Sequence, residues 1–167
     1  LLYGFALDRN PFNSVAVRFG ASANDPLYKE KIDFAKSAGR AADGTEAFPL
    51  YADRFADEML QFLRMICVTE KDLQSRDLSD IDFSIFVSRD NELAVLDTIK
   101  QACAAAVVRY DAAAEQNTAL LRDTPNAFLS RKQRMAKRLV ASELAILKRT
   151  VDAATRKAAD ITATMVA

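Results

Sequence analysis

Residues 88–92 read Ser-Arg-Asp-Asn-Glu and divide the chain into two unlike parts. The apolar run Phe-Ser-Ile-Phe-Val at residues 83–87 comes before them, and a helical pattern of about thirty residues follows. Ser88 and Asp90 are both suitable helix N-caps, because their side-chain oxygens accept hydrogen bonds from the first N–H groups of a helix. The segment therefore predicts a hinge at which a long helix begins.

The pattern after the hinge predicts two long helices. The first has an apolar stripe at a spacing of three and four residues, made of Leu96, Ile99, Cys103, Val107, Tyr110 and Ala114. Residues 123–126 (Asp-Thr-Pro-Asn) interrupt it, and Ser130 can cap the second helix. The second apolar face is predicted to hold Met135, Leu139, Val140, Leu144, Ile146, Leu147 and Val151. Long helices joined by a short loop pack as an antiparallel hairpin.

The first third of the chain predicts short elements. Residues 14–19 alternate, with Val15, Val17 and Phe19 on one face, which is typical of a half-buried strand. Asp25-Pro26 should open a helix that places Tyr28, Ile32 and Ala35 on one side and ends at Gly39. Residues 40–47 have the composition of a loop. The proline in residues 48–51 limits a second strand there to a sheet edge or a strand end.

A strongly apolar segment at residues 57–67 predicts a buried helix. Thr69 and Asp72 resemble a capping box that starts a further short helix. The predicted fold class is therefore mainly α with a small β element (α+β), in which a long antiparallel helical hairpin is joined by shorter helices and short strands.

Composition bounds the function. The 167 residues suffice for one domain, or one domain and a fragment of a neighbour. Lys+Arg and Asp+Glu both number 23, so the basic excess that is typical of nucleic-acid binders is absent. Residues 130–157 are nevertheless basic, because nine bases outnumber the two acids Glu143 and Asp152. The bases are Arg131, Lys132, Arg134, Lys137, Arg138, Lys148, Arg149, Arg156 and Lys157. That run is either a solvated helix face or a docking surface for an acidic partner.

The absence of histidine excludes histidine-based triads and histidine metal sites within this sequence. Cys67 and Cys103 lie in apolar helical patterns, which favours buried thiols and a reducing, intracellular compartment, although the sequence leaves a disulfide open. No apolar run is long enough to span a bilayer. The chain begins with Leu1 and lacks the features of a signal peptide, so we expect a piece of a longer protein.

Candidate chemical groups are few. The carboxylate pairs Asp57/Glu58, Asp80/Asp82 and Asp90/Glu92 stand beside predicted caps and loops, which favours capping or solvated roles over acid–base catalysis. The glycines are scattered singly, so no phosphate cradle is predicted. Arg89 is the most interesting side chain, because on an exposed hinge its guanidinium can hold a carboxylate or carbonyl of a peptide. The alternative is a local salt bridge that stabilises the hinge.

Five segments in order carry a family resemblance. They are Tyr3-Gly4-Phe5, Asn24 to Tyr28, Leu60 to Met65, Val87 to Glu92, and Arg134 to Leu139. Together they resemble the C-terminal substrate-binding domain of the Rubisco large-subunit methyltransferase group of SET proteins, a group that includes the actin-histidine methyltransferase. The resemblance covers essentially the whole chain. It implies that residues 1–7 are the C-terminal remnant of a SET domain and that residues 8–167 are the substrate-binding domain.

The resemblance also implies that catalysis and substrate binding belong to different domains. The upstream SET domain would bind S-adenosylmethionine and transfer its methyl group, so we expect no catalytic, cofactor-binding or metal-binding residue in this chain. Tyr3 matches an aromatic residue that lines the target-lysine channel in the Rubisco-type enzymes. A phenol there can orient the amine toward the methyl group, which favours a lysine target over a histidine target.

The resulting hypothesis is a domain that docks a protein substrate for a SET-type protein-lysine N-methyltransferase, with the hinge and the basic last helix as contact regions. The alternatives are a non-catalytic interaction scaffold beside a degenerate SET domain, and a methyltransferase of the actin-histidine type. The expected partners are the SET domain of the same protein and a protein substrate (Rubisco or another protein), rather than nucleic acid or a membrane. A Rubisco-type enzyme would lie in the chloroplast; otherwise we expect the cytoplasm or nucleus.

Overall fold

A computed structural model describes residues 14–51, 53–122 and 130–164, and within the second range the side chains of residues 111–122 lie outside the description. Two strands, five α-helices and a 3-10 turn account for most of these residues, which confirms the mainly α fold with a small β element. In chain order the elements are β1 (Ser14–Gly20), α1 (Tyr28–Ser37), β2 (Asp43–Tyr51), α2 (Asp57–Cys67), α3 (Glu70–Leu73), the 3-10 turn (Leu78–Asp80), α4 (Arg89–Arg122) and α5 (Arg131–Ala163).

The two strands pair antiparallel, and Ser14 lies opposite Tyr51. The inward-facing β1 side chains are the three predicted from the alternation, and each is buried. The prediction of a loop over residues 40–47 is wrong, because β2 already begins at Asp43. Backbone pairing overrides the loop-like composition there. The backbones of the two strands approach so closely here that a Cβ on Gly20 would lie 2.2 Å from the backbone nitrogen of Gly44.

Helix α1 begins two residues later than the Asp25-Pro26 pattern predicts, with Leu27 rather than Asp25 at the N-cap. The carboxylate of Asp25 accepts a hydrogen bond from the Leu27 backbone at 2.8 Å, so it caps the turn before the helix rather than the helix itself. The helix ends as predicted, with Gly39 at a φ of 71° just after it.

Helix α2 has the bounds that its apolar sequence predicts, and most of its residues are buried. It packs against α4 on one side. On the other side Phe62 contacts Phe48 of β2, with ring centroids 5.1 Å apart. The capping box after α2 is also confirmed, because Asp72 accepts a hydrogen bond from the Thr69 backbone at 2.9 Å.

Helices α4 and α5 form the predicted antiparallel hairpin. Glu92 near the start of α4 pairs with Lys157 late in α5, whereas Tyr110 further along α4 donates a hydrogen bond to Glu143 earlier in α5. Leu139 was predicted to face the core but is 51% exposed. The buried α5 residues all come later in the helix, where α5 packs against the two strands as well as α4.

Candidate functional site

The hinge is held by hydrogen bonds to α3. The Ser88 hydroxyl caps α4, as predicted, because it accepts a hydrogen bond from the Asn91 backbone at 3.0 Å. The same hydroxyl donates a short hydrogen bond to the carboxylate of Asp72. Burial alone would raise the pKa of Asp72, but the hydrogen bonds from Ser88 and Thr69 hold that pKa below its ordinary value. The start of α4 is therefore fixed to the capping box of α3.

A buried arginine fixes the hinge from the other side. Arg64 of α2 donates from Nε to Glu92 at 2.9 Å, and from Nη1 to the carbonyls of Phe83 and Ser84 at 3.2 and 3.1 Å. Burial alone would raise the pKa of Glu92, but the hydrogen bond and charge of Arg64 and the charge of Lys157 hold it below its ordinary value of 4.5. One guanidinium thus joins α2, α4 and the loop before the hinge.

The loop at residues 83–87, just before the hinge, presents two large apolar side chains to solvent. Phe83 points inward, where its ring makes an edge contact with Phe34 at a centroid distance of 6.0 Å. Ile85 is 61% exposed and Phe86 is 54% exposed. We call these two residues the apolar tip. Arg64 holds the backbone of the two residues that precede the tip, Phe83 and Ser84.

Arg89 lies in the first turn of α4 and is half-buried rather than fully exposed. Its Nε atom is buried and has no hydrogen-bond partner within the described residues. A local salt bridge with Asp90 is not formed, because Asp90 pairs instead with Lys71 at 2.7 Å. Substrate contact by Arg89 stays a prediction, and Tyr3 lies outside the described residues.

Of the other carboxylates in the predicted pairs, Asp57 is exposed and three have structural partners. Glu58 pairs with Arg40 at 3.3 Å, Asp80 caps the 3-10 turn, and Asp82 accepts a hydrogen bond from the Ser84 backbone at 2.9 Å. Glu92 is the exception to the predicted capping or solvated roles, since only 2% of its side chain is exposed. The sequence held a signal for its burial: Glu92 precedes Leu96 by four residues and so lies on the apolar stripe.

Sequence reasoning also missed a buried lysine. Lys31 is fully buried in α1, where its ammonium donates to the carbonyls of Ile66 and Val68 at 2.9 and 2.6 Å. Its charge is balanced by Asp25 at 2.5 Å. Lys31 thus satisfies carbonyls at the C-terminal end of α2 that the helix leaves without partners. Its position four residues before the buried Ala35 was the available signal.

The two cysteines are thiols, as the sequence favours. Cys67 and Cys103 are free, which confirms the thiol interpretation over the disulfide. Burial raises the pKa of both thiols, and that of Cys103 to about 11. The described residues contain no group of three or more acidic or thiol side chains that could hold a metal ion. Nor does any helix in the described ranges have the length and apolarity to cross a membrane.

The chain matches a known family over most of its length. A family model described as Rubisco LSMT substrate-binding matches residues 22–147. Among curated proteins, the actin-histidine N-methyltransferases of Papio anubis and Homo sapiens are each 28% identical over 160 residues. The alignment covers 90% of this chain and 26% of either relative. The chain therefore spans about a quarter of the length of the curated relatives it matches.

Solved structures show the same fold. The SET domain of LSMT bound to methyllysine and AdoHcy superposes with a TM-score of 0.70 at 24% identity, over 95% of this chain and 37% of that chain. Rubisco LSMT bound to AdoMet gives a TM-score of 0.66 at 23% identity, over 95% of this chain and 38% of that chain. At these identities the likeness is one of fold.

Proposed function

Because this chain belongs to the Rubisco LSMT substrate-binding family, we propose that it docks a protein substrate for a SET-type, S-adenosylmethionine-dependent protein methyltransferase domain upstream of it. The observation that carries the proposal is the apolar tip, which is exposed and directly follows two carbonyls that Arg64 holds by hydrogen bonds. The proposal assigns residues 1–7 to the end of the SET domain and residues 8–167 to the docking domain.

A fixed apolar tip suits recognition for an energetic reason. Protein interfaces depend on a few large side chains that become desolvated in the complex, and ordering those side chains on binding costs free energy. The loop before the hinge is already ordered by the hydrogen bonds from Arg64, so less of that cost remains. Arg89 begins α4 only three residues after Phe86 and would add a cation beside the apolar contact.

The proposal leaves the transfer chemistry to the upstream domain, which would bind the S-adenosylmethionine. The target side chain is either a lysine or a histidine. A lysine target is favoured by Tyr3, if it lines the acceptor channel as the family resemblance implies. A histidine target is the second candidate, and it is favoured by the names of the similar curated proteins, which are actin-histidine N-methyltransferases. The substrate is in either case a protein.

The test is a methyl-transfer assay on the full-length protein that contains this chain, with labelled S-adenosylmethionine and a soluble extract. Once a labelled protein is found, the variant Ile85→Ala/Phe86→Ala should raise its KM by about fivefold or more and leave kcat unchanged. Val108→Ala is the matched control, because Val108 is equally exposed but lies within α4, away from the hinge. Equal KM values for the two variants would refute docking at the tip.

Mass spectrometry of the labelled protein decides the target. Methylation of a lysine would support the role expected of Tyr3, and methylation of a histidine would support the second candidate. A folded full-length protein that labels nothing in any extract would refute the methyltransferase proposal.

A further inference from the structure

A cavity of about 420 Å³ lies where the end of β2 meets the second half of α5. Its lining residues that matter here are Tyr51, Asp53, Arg54, Arg149, Thr150 and Arg156. Three guanidinium groups and a single carboxylate therefore face the same space. The cavity is separate from the hinge network, which lies around the start of α4.

The charges in this cavity are unbalanced. Asp53 pairs with Arg54 at 3.2 Å, and the guanidinium of Arg54 lies over the Tyr51 ring at 4.3 Å from its centroid. Neither Arg149 nor Arg156 has a hydrogen bond or ion pair with any residue that the structure describes. Both arginines are exposed. Asp152 lies between them along α5 and is exposed, yet it forms no ion pair with either arginine. Both guanidiniums are therefore open to a carboxylate from a binding partner.

The positive surface continues along α5. Arg138, Arg149 and Arg156 follow each other at intervals of eleven and seven residues. With 3.6 residues per turn, these intervals leave the three side chains within about 20° of one another on one side of the helix. They extend over roughly 27 Å of helix length, since each residue adds about 1.5 Å. Arg138 is exposed and likewise has no partner within the described residues.

We propose that this cavity and Arg138 bind an acidic segment of the protein substrate, with an aspartate or glutamate carboxylate seated between Arg149 and Arg156. The inference rests on the proposed function and adds a second contact site with a defined charge. The row of three arginines along α5 suits a peptide bound in an extended conformation. An extended chain spans about 3.3 Å per residue, so about eight residues would cover the row.

The same features argue against a nucleic acid. Single-stranded nucleic acids bind where aromatic faces are open for base stacking, and the Tyr51 ring in this cavity is already covered by Arg54. The chain as a whole carries no net charge, whereas nucleic-acid binders usually carry a strong basic excess.

The direct test is binding of a fluorescent peptide of alternating glutamate and serine to the full-length protein, followed by anisotropy at low and high salt. We expect Arg149→Glu/Arg156→Glu to weaken binding about tenfold or more. Lys148→Glu is the matched control, because Lys148 is an exposed neighbour in α5 but lies about 100° around the helix from Arg149. Circular dichroism would check that both variants are folded. The milder pair Arg149→Gln/Arg156→Gln should weaken binding in the same direction.

The outcomes separate this inference from the proposed function. A raised substrate KM with unchanged kcat in the double arginine variant would support it, and an unchanged KM would overturn the assignment to the substrate. Equal peptide affinities in the double variant and the Lys148→Glu control would overturn the site itself, as would tighter binding of an oligonucleotide of equal charge. If the full-length protein transfers no methyl group, peptide binding that requires Arg149 and Arg156 would still support the site.

Discussion

The variant Arg64→Met tests whether one buried guanidinium holds the hinge region together. In the folded protein Arg64 satisfies the Glu92 carboxylate and the carbonyls of Phe83 and Ser84. Methionine fills a similar volume but donates no hydrogen bond, so Glu92 would be left buried with only Lys157 at 3.3 Å. Removing one partner of a buried ion pair costs about 3–5 kcal/mol.

We therefore expect the free energy of unfolding to fall by about 3–5 kcal/mol, which for a domain of this size lowers Tm by roughly 6–20 °C. Urea denaturation followed by circular dichroism measures the change. Arg18→Met is the matched control, because Arg18 is exposed on β1 and has no ion pair within the described residues, so its loss should change the free energy by less than about 0.5 kcal/mol. A cost below about 1 kcal/mol for Arg64→Met would refute the reasoning.

Acid provides an independent check on the same interaction. The pKa of Glu92 is lowered in the folded protein, so its contribution to stability is present above the unfolded value of about 4.5 and is lost as pH falls through the lower folded pKa. In Arg64→Met the pKa of Glu92 should rise, since burial then dominates. The stability difference between wild type and variant should consequently shrink below about pH 4.5, and a constant difference would contradict this assignment.

Three further predictions follow from other contacts. Lys31→Met should lower the free energy of unfolding by about 3 kcal/mol or more, because Asp25 and two backbone carbonyls lose a fully buried partner; urea denaturation measures it, with exposed Lys29→Met as control. Cys103 should react with a thiol reagent near neutral pH only as fast as the protein opens, since burial raises its pKa to about 11; fast reaction in the folded state would contradict this. Burial and the hydrogen bond to Glu143 raise the pKa of Tyr110 to about 12, so absorbance titration should show a late phenol that Tyr110→Phe removes, and the stability this group contributes should fall as pH rises from about 10 to 12.

The elements that the sequence predicts correctly are those with strong periodicity. The alternation in β1, the dense apolar run of α2 and the stripe of α4 each identify an element and its buried face, because burial of apolar side chains fixes the phase of a strand or helix. The start of β2 was not predictable in this way. Residues 43–47 have no apolar alternation. Asp43, Glu46 and Ala47 belong to a strand only because they pair with β1, and the register shifts across Gly44 and Thr45.

The polar network around the hinge could be predicted only in part. Ser88 and Thr69 act on neighbours three residues away, so their caps are readable from local spacing. Arg64 and Glu92 are 28 residues apart, and a charged residue in a sequence normally indicates the surface. Periodicity shows that Glu92 lies on a buried stripe, but the partner that makes this burial tolerable is defined only by the packing of α2 against α4.

The double variant Arg64→Met/Glu92→Met separates the stability of the domain from the presentation of the apolar tip. Replacing both charges with apolar groups removes the unpaired carboxylate, so it should recover much of the stability that Arg64→Met loses. The carbonyls of Phe83 and Ser84 still lack their donor, so the loop that bears Ile85 and Phe86 should remain loosened. We expect this variant to be nearly as stable as wild type. If the tip docks substrate, the variant should nevertheless show a raised KM in the methyl-transfer assay of the full-length protein. A wild-type KM in the stable double variant would mean that the fixed position of the tip contributes nothing to docking.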